Sequence, residues 1–373
     1  MPKPFCVYRR GHTSLVADLC WSKNYFLLSC GLDRTVRLWH VSRVDCLCAF
    51  QHTDFVMAVA FLPKDDRYFV SGSGDGKLRL WHVPDKKVAL WQEERHGRMI
   101  TVLTFVKNGT FLVVGTSDGR CVFYATHQFK YHTVIDVQSS RAKSSSRGRM
   151  ITGLSVHNDK LLVTSTDARV RLYDLRDMSL ECKYKGFANQ NSRIRAAFSP
   201  NGRHIVAGSL DKHVYLWRTS VDALLGVRKD RNNLYERVNA HGAVVTAAIF
   251  APRPEEIFKQ IDRGRLRASD SVSDSDSRRG SKARRAGGKG PLPGPSQPVA
   301  HKHRHRSSVV SAVAAGVSTS SAASAVAGGG GGGTQAGPPT GDVVVSADIN
   351  GCIFVFANRS RFETGASTFY RGD

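Results

Sequence analysis

Histidine, serine and aspartate occur in this sequence at spacings that could form a catalytic triad. In a triad, a histidine held by a carboxylate takes the proton from a serine hydroxyl, which then attacks a carbonyl carbon. The candidate set occurs twice, and each time a tryptophan stands six positions after the aspartate. The two sets are His12, Ser29, Asp33 and Trp39, followed by His52, Ser71, Asp75 and Trp81. Because an active site is built once whereas this set repeats, the sequence favours a structural role for these residues.

The repeated unit is longer than these four residues. In six places an acidic or amide residue stands six positions before an aromatic one, and these anchors lie 42, 43, 49, 44 and 139 residues apart. Four of the five intervals match a four-stranded propeller blade of about 40 to 45 residues, allowing for small loop insertions. The anchors are Asp33, Asp75, Asp118, Asp167, Asp211 and Asn350, and their aromatic partners are Trp39, Trp81, Tyr124, Tyr173, Trp217 and Phe356.

Each unit consists of apolar runs separated by turn-forming residues. In the second unit, an apolar run at 56–61 is followed by a turn at 63–67, a strand at 68–73 and a tight turn at 74–76. Alternation in such strands puts apolar side chains on one face of a sheet and arginines on the other. A small sheet cannot bury that face alone, so the units must stack on one another around an axis. The sequence therefore predicts an all-β propeller.

The unit resembles the WD-repeat family, and the resemblance covers nearly the whole chain except one insertion. In that family a loop histidine, a strand serine, a turn aspartate and a strand tryptophan form a hydrogen-bonded set. The resemblance implies the full set in the first two units. Later units depart from it: Val114, Val163 and Ala207 replace the serine, Tyr124 and Tyr173 replace the tryptophan, and Asn350 stands in for the aspartate. His96 and His241 keep the loop position.

Six blades are visible, whereas propellers of this family most often close with seven, so we expect a further blade at the N-terminal side. The expected domains are propeller blades over 1–252, a basic Ser/Gly/Ala-rich insertion over 253–340, the end of the last blade over 341–359 and a flexible tail over 360–373. The insertion has too few apolar residues to order itself, so we expect it to be disordered.

Composition points to a cytosolic protein. The eight cysteines are scattered without a C-x-x-C pair, no apolar run is long enough to span a membrane, and no secretory signal is readable. The net charge of +23 raises the possibility of nucleic-acid binding. However, residues 253–306 contain 14 Lys or Arg against 6 Asp or Glu, so +8 of this excess lies in the insertion.

Several runs are more specific than the generic repeat, namely 21–29, 35–40, 65–69, 76–81, 84–91, 169–177, 240–241 and 246–252. They resemble a subfamily of WD-repeat proteins that bind Rab GTPases on recycling endosomes. The resemblance implies a non-enzymatic Rab effector in vesicle trafficking, peripheral on recycling endosomes or the trans-Golgi, whose Rab-contacting segments lie largely ahead of the propeller.

Two other functions remain open. Tyr173-Asp174-Leu175-Arg176 resembles the element by which many propellers dock on the adaptor of cullin ubiquitin ligases, which makes Arg176 a candidate docking residue. Basic groups at 141–149 and 301–306 could instead bind RNA or an anionic membrane.

The sequence offers little for an enzyme. It has no G-x-x-x-x-G-K-[ST] or G-x-S-x-G motif, so we expect no catalytic residue, cofactor, metal or small-molecule substrate. Ser281 follows two arginines and a glycine and is a candidate phosphorylation site.

Overall fold

The computed structural model describes residues 7–8, 11–137, 149–190, 192–220, 231–259, 342–358 and 370–371. Nearly all of these residues form strands and turns. They make six sheets, each built on consecutive antiparallel strands, which confirms the predicted all-β propeller with six blades. Residues 1–6, 9–10, 138–148, 191, 221–230, 260–341, 359–369 and 372–373 lie outside the description, so the predicted disorder of the insertion and the flexibility of the tail stay predictions.

The first three sheets each contain four strands that follow one another along the chain. The first is Val16–Trp21, Phe26–Gly31, Thr35–His40 and Arg43–Gln51. The second is Val56–Leu62, Asp65–Ser73, Lys77–His82 and Lys87–Glu93. The third is Ile100–Val106, Phe111–Thr116, Arg120–Ala125 and Lys130–Asp136, with a 3-10 turn at Lys107–Gly109.

The fourth and fifth sheets each gain an extra short strand at the outer edge. The fourth is Ile151–His157, Lys160–Ser165, Arg169–Asp174 and Leu180–Tyr184, with Arg231–Asn232 added in parallel. The fifth is Ala196–Phe198, His204–Ala207, His213–Arg218 and Leu234–Asn239, with Tyr370–Arg371 added antiparallel. Segments of the chain itself thus pair with the outer edges of these two sheets, which would otherwise offer unpaired backbone groups.

The sixth sheet is assembled from two distant pieces of chain. Its inner strand is Val245–Phe250, and the other two strands are Asp342–Asp348 and Ile353–Asn358. The propeller unit contains residues 1–252, 344–355 and 362–373. The second unit contains residues 253–343 and 356–361, and its described part includes a short helix over 254–259.

Apolar clusters between neighbouring sheets form the core. One cluster joins the first and second sheets through residues such as Leu28, Phe50 and Phe69. Similar clusters join the second sheet to the third, the third to the fourth and the fourth to the fifth. The first five sheets are therefore stabilised by face-to-face packing on their sequence neighbours, as the repeat predicts.

A bulge recurs near the start of the inner strand. The register shifts by one residue between Val16 and Asp18, between Val56 and Ala58, and at the equivalent points of the third, fourth and sixth sheets. The bulged residues of the first three sheets are Ala17, Met57 and Thr101. A bulge leaves its extra residue outside the ladder, so its backbone groups are available to other partners.

The first sheet exposes two apolar side chains at positions that are buried in the second sheet. Leu19 and Trp21 are 59% and 56% exposed, whereas Val59 and Phe61, at the same positions of the second sheet, pack in the cluster against the first sheet. The expected seventh blade stays a prediction.

Candidate functional site

The four side chains of the first set meet in one hydrogen-bonded chain. Asp33 lies 2.9 Å from Nδ1 of His12, and Nε2 of His12 lies 2.7 Å from the Ser29 hydroxyl. The Trp39 indole N–H donates to the same hydroxyl at 2.8 Å. Burial alone would raise the pKa of Asp33, but hydrogen bonds from His12, Thr35 and the Thr13 amide outweigh it and lower the pKa.

This geometry opposes a triad reading. Ser29 is 4% exposed, and its oxygen already accepts the indole N–H of Trp39. A serine nucleophile needs an approachable oxygen whose lone pair is free to attack a carbonyl. The set instead pins a loop and two strands of one sheet together, and every polar atom in it finds a partner.

The second set differs from the expectation in one member. His52 contacts the Ser71 hydroxyl at 2.8 Å and the Trp81 indole donates to that hydroxyl at 3.0 Å, as in the first sheet. The other nitrogen of His52, however, lies 3.2 Å from the Phe50 carbonyl oxygen and not beside Asp75. Burial lowers the pKa of His52 to about 4, so the imidazole is neutral at physiological pH.

Asp75 turns instead to an arginine of its own sheet. The Arg79 guanidinium lies 2.7 Å from Asp75, which also accepts hydrogen bonds from Ser73 and Thr53. These bonds outweigh burial and lower the pKa of Asp75 strongly. Asp75 therefore pairs with the permanently charged Arg79, four residues downstream, and not with the neutral His52.

The remaining predicted aspartates have local partners of the same kind. The hydroxyls of Thr116, Ser165 and Tyr215 lie within 2.5 to 2.6 Å of Asp118, Asp167 and Asp211, respectively. Asp167 also forms an ion pair with Arg171 at 2.6 Å. Each carboxylate therefore stabilises the turn that carries it.

Replacement of the serine changes what the aromatic residue does. Ala207 offers no acceptor in the fifth sheet, and the Trp217 indole N–H donates to the Lys185 carbonyl oxygen at 2.9 Å. In the third sheet Val114 takes that position, and the buried Tyr124 hydroxyl has no hydrogen-bond partner among the described residues.

The sixth sheet uses a different aspartate from the one expected. Nε2 of His241 contacts the Ser346 hydroxyl at 2.7 Å, and Nδ1 lies 3.2 Å from Asp348. The assignment of the aspartate's place to Asn350 is therefore wrong. Asp348 lies two residues after the serine rather than four, at the position of Ser73 in the second sheet, so the spacing of the earlier units misses it. A His–Ser–Asp search without fixed spacing would have found it.

Two arginines ahead of the fifth inner strand reach other sheets. Arg193 donates to main-chain carbonyl oxygens of Met57 at 2.8 Å, Thr101 at 2.7 Å and Ala17 at 3.4 Å. Arg195 forms an ion pair with the buried Asp18 at 2.6 Å. Sequence reasoning did not single out either arginine, because their partners are more than 90 residues away.

The candidate docking residue Arg176 lies two residues after the end of the third strand of the fourth sheet. Its side chain is 69% exposed, and its guanidinium contacts Asp174 at 2.8 Å. Lys160 lies on the other side of Asp174 at 2.9 Å. The Arg176 side chain is thus accessible to solvent at the end of a sheet, but its guanidinium group already pairs with Asp174 of the same sheet.

Other sequence candidates lie outside the described residues. These are Ser281 and the basic groups at 141–148 and 301–306. Within the described ranges, no group of three or more His, Cys, Asp or Glu side chains is arranged to hold a metal ion. The described part also contains no helix with the length and apolar character needed to cross a bilayer.

Comparison with known proteins agrees with the fold. The family described as "WD domain, G-beta repeat" matches residues 4–40, 44–82 and 181–218. The chain is 57% identical over 256 residues to WD repeat-containing protein 44 of Xenopus laevis, an alignment that covers 67% of this chain and 28% of that protein. It is also 32% identical over 255 residues to an uncharacterized WD repeat-containing protein of Schizosaccharomyces pombe, covering 65% of this chain and 43% of the relative.

More distant similarity extends to a further protein. The chain is 27% identical over 237 residues to mouse Jouberin, covering 59% of this chain and 22% of Jouberin. The chain thus spans less than half the length of each of these relatives.

Proposed function

We propose that this chain, which belongs to the WD-repeat family together with WD repeat-containing protein 44, acts in endosomal recycling as part of a Rab effector. The chain is a WD-repeat propeller of the protein-interaction scaffold type. The similarity to WD repeat-containing protein 44 over two thirds of the chain supports the proposal of a Rab-effector role. In this proposal a GTP-bound Rab recruits the protein to recycling endosomes or the trans-Golgi, and the propeller presents surfaces to further partners.

The geometry of the repeated sets supports a binding role. The histidine, serine and aspartate side chains that could do chemistry are occupied in holding the sheets together. What the propeller offers to other molecules is its turn ends and outer strands, which carry exposed side chains. Proteins that combine a rigid scaffold with variable turns typically use those turns for recognition.

Nucleotide-dependent binding of Rab GTPases tests the proposed effector role. The longest natural form of this protein is immobilised and incubated with a panel of purified Rab GTPases loaded with GTPγS or GDP. We expect retention of at least one recycling-endosome Rab in the GTPγS form and much weaker retention in the GDP form. Equal retention of both forms, or retention of none, would contradict the effector role while leaving the scaffold intact.

A cullin-ligase substrate receptor is the second candidate, because Arg176 is exposed at a sheet end. Co-purification with the ligase adaptor, lost on Arg176→Ala and kept on Arg203→Ala, would favour it. Arg203 is a matched control since it is an exposed arginine of the neighbouring fifth sheet. Failure to co-purify would remove this candidate.

A further inference from the structure

Four equivalent positions at one turn end carry different charges from sheet to sheet. They are the residue two before the inner strand, the turn aspartate, and the residues two and four after that aspartate. In the first sheet they are Ser14, Asp33, Thr35 and Arg37; in the second, Asp54, Asp75, Lys77 and Arg79; in the third, Arg98, Asp118, Arg120 and Val122; in the fourth, Arg149, Asp167, Arg169 and Arg171. The formal charge is zero in the first two sheets, +1 in the third and +2 in the fourth.

In the fourth sheet one carboxylate faces three guanidinium groups. Arg171 takes both oxygens of Asp167, at 2.6 and 3.2 Å, and is almost completely buried, with 3% of its side chain exposed. Ser165 donates a further hydrogen bond to Asp167 at 2.6 Å. The charge of Asp167 is therefore largely matched by Arg171 alone.

Arg149 and Arg169 supply the surplus. Arg149 approaches Asp167 at 3.3 Å, and its side chain is 31% exposed. Arg169 donates to the Ala168 carbonyl oxygen at 2.8 Å, and no carboxylate of the described residues lies within ion-pair distance of it. Burial lowers the pKa of Arg169, and the positive charges of Arg171 and Arg149 act in the same direction against the attraction of Asp167. Counted together, the three guanidinium groups and the single Asp167 carboxylate leave this part of the turn end with a net charge of +2.

The third sheet places further guanidinium groups beside this site. The Gly119 turn is packed so tightly on Arg149 that a Cβ at position 119 would lie 2.7 Å from the Arg149 carbonyl oxygen. Beside that turn, Arg98 and Arg120 are 58% and 36% exposed and share Asp118 at 3.7 and 3.6 Å. Arg120 also pairs with Asp136, at 3.2 Å, so the third sheet adds exposed guanidinium groups with little net charge.

We propose that the turn end of the fourth sheet, at Arg149 and Arg169, binds a phosphorylated serine or threonine in an extended segment of a partner protein. A phosphomonoester carries a charge of roughly −1.5 to −2 and three acceptor oxygens, which matches the surplus of two guanidinium groups. A single carboxylate would neutralise only half of this surplus positive charge. Planar guanidinium forks also suit the tetrahedral phosphate oxygens, because each fork can donate two parallel hydrogen bonds.

This inference rests on the proposed scaffold function in that it names a class of partner for the propeller. It does not depend on the Rab proposal, since no nucleotide or GTPase enters it. A scaffold that reads phosphorylation would exchange partners when a kinase or phosphatase acts on them.

Phosphopeptide binding tests the proposal. The full chain is titrated into a fluorescein-labelled degenerate peptide library with a fixed central phosphoserine, and polarisation is compared with the same library carrying unmodified serine. Two double variants accompany the wild type: R149A/R169A, and the control R43A/R203A, which removes two exposed arginines elsewhere. Thermal unfolding of all three proteins establishes that each is folded.

We expect the phosphoserine library to bind at least about tenfold more tightly than the unmodified one, and R149A/R169A to lose that preference while R43A/R203A keeps it. Equal binding of the two libraries, or a preference that survives in R149A/R169A, would overturn the proposal. A third arm uses phosphatidylcholine vesicles with and without phosphatidylserine. Vesicle binding that requires Arg149 and Arg169, without a phosphopeptide preference, would overturn it in favour of a membrane surface. A positive peptide result with negative Rab binding would retain this site and reject the effector role.

Discussion

The guanidinium of Arg193 donates a 2.8 Å hydrogen bond to the main-chain carbonyl oxygen of Met57, which lies 136 residues earlier in the chain. Met57 is the bulged residue of the second inner strand, and the other two acceptors of Arg193 are the bulged residues of the first and third. The extra residue of a bulge stands outside the hydrogen-bond ladder of its sheet, so its carbonyl oxygen can accept another donor. The planar guanidinium group of Arg193 donates to three such carbonyl oxygens. Arg193 therefore ties the fifth sheet to three sheets with which it shares no ladder.

Removing Arg193 should loosen the propeller. Arg193→Ala leaves three carbonyl oxygens without their donor, so we expect unfolding free energy to fall by about 3 kcal/mol in urea titrations. Low millimolar guanidinium chloride should recover part of this loss, and sodium chloride at equal ionic strength should not. Arg203→Ala, an exposed control, should be neutral. A neutral Arg193→Ala would mean that the tie does not contribute to stability.

Ser29→Ala removes the hydroxyl that receives the Trp39 indole and contacts His12. Two buried polar groups then lack a partner, and we expect a loss of about 2 kcal/mol in chemical denaturation. Substitution of the exposed Ser14, two residues ahead of the same sheet, by alanine should change stability by less than about 0.5 kcal/mol. Equal effects of the two variants would contradict the structural role assigned to the set.

Stability should depend on pH through His52. Its pKa is lowered from 6.5 to about 4 by burial, so the folded state binds the proton less readily than the unfolded state. Stability is then fully present above pH 6.5 and declines as the pH falls towards 4, by about 2 kcal/mol between pH 7 and pH 5. Urea titrations at the two pH values should show a smaller decline for His52→Gln than for the wild type. An identical decline would show that other groups cause it.

The second and third sheets should not tolerate a methyl group at Gly72. A Cβ there would lie 2.4 Å from Cγ2 of Ile100, in the core between the sheets. We expect Gly72→Ala to cost about 1 to 3 kcal/mol, since a close-packed core cannot absorb the overlap without moving. Gly242→Ala, where nothing lies within 4 Å, is the control. Thermal melting of both variants distinguishes overlap from a general effect of alanine.

The last sheet should depend on Asp348 and not on Asn350. Asp348→Ala removes the partner of His241 Nδ1 and the acceptor of the Asn350 and Cys352 amides, so we expect a loss of about 1 to 3 kcal/mol. The exposed Asn350→Ala should have little effect. Amide hydrogen exchange of Val245–Phe250 reports on this sheet directly. Faster exchange in the Asn350 variant alone would restore the assignment made from spacing.

The sequence predicts those parts of the fold that depend on the spacing of residues close together in the chain. Ser29 and Trp39 are ten residues apart on adjacent strands, so a fixed spacing identifies both. The whole propeller follows from repetition of such local hairpins, each of which packs on its sequence neighbours. The charge difference between sheets could also have been read at equivalent positions, once the inner strands were located.

Features made by distant or shifted residues escaped prediction. Arg193 meets its acceptors across more than 90 residues, and no local spacing announces such a contact. Asp348 escaped because a two-residue shift moved the carboxylate while the histidine and serine kept their places. The two-residue strand Arg231–Asn232 is too short to carry an alternating pattern.

The divided sixth sheet has a consequence for synthesis on the ribosome. Its inner strand ends at Phe250, and its next strand starts at Asp342, so 91 residues intervene. At about 5 to 20 residues per second, that interval delays the partner strand by roughly 5 to 18 seconds after the inner strand is made. During this time five sheets can already fold while Val245–Phe250 waits unpaired. The nascent chain thus passes through a stage with one unmatched apolar strand, at which a chaperone would have time to act.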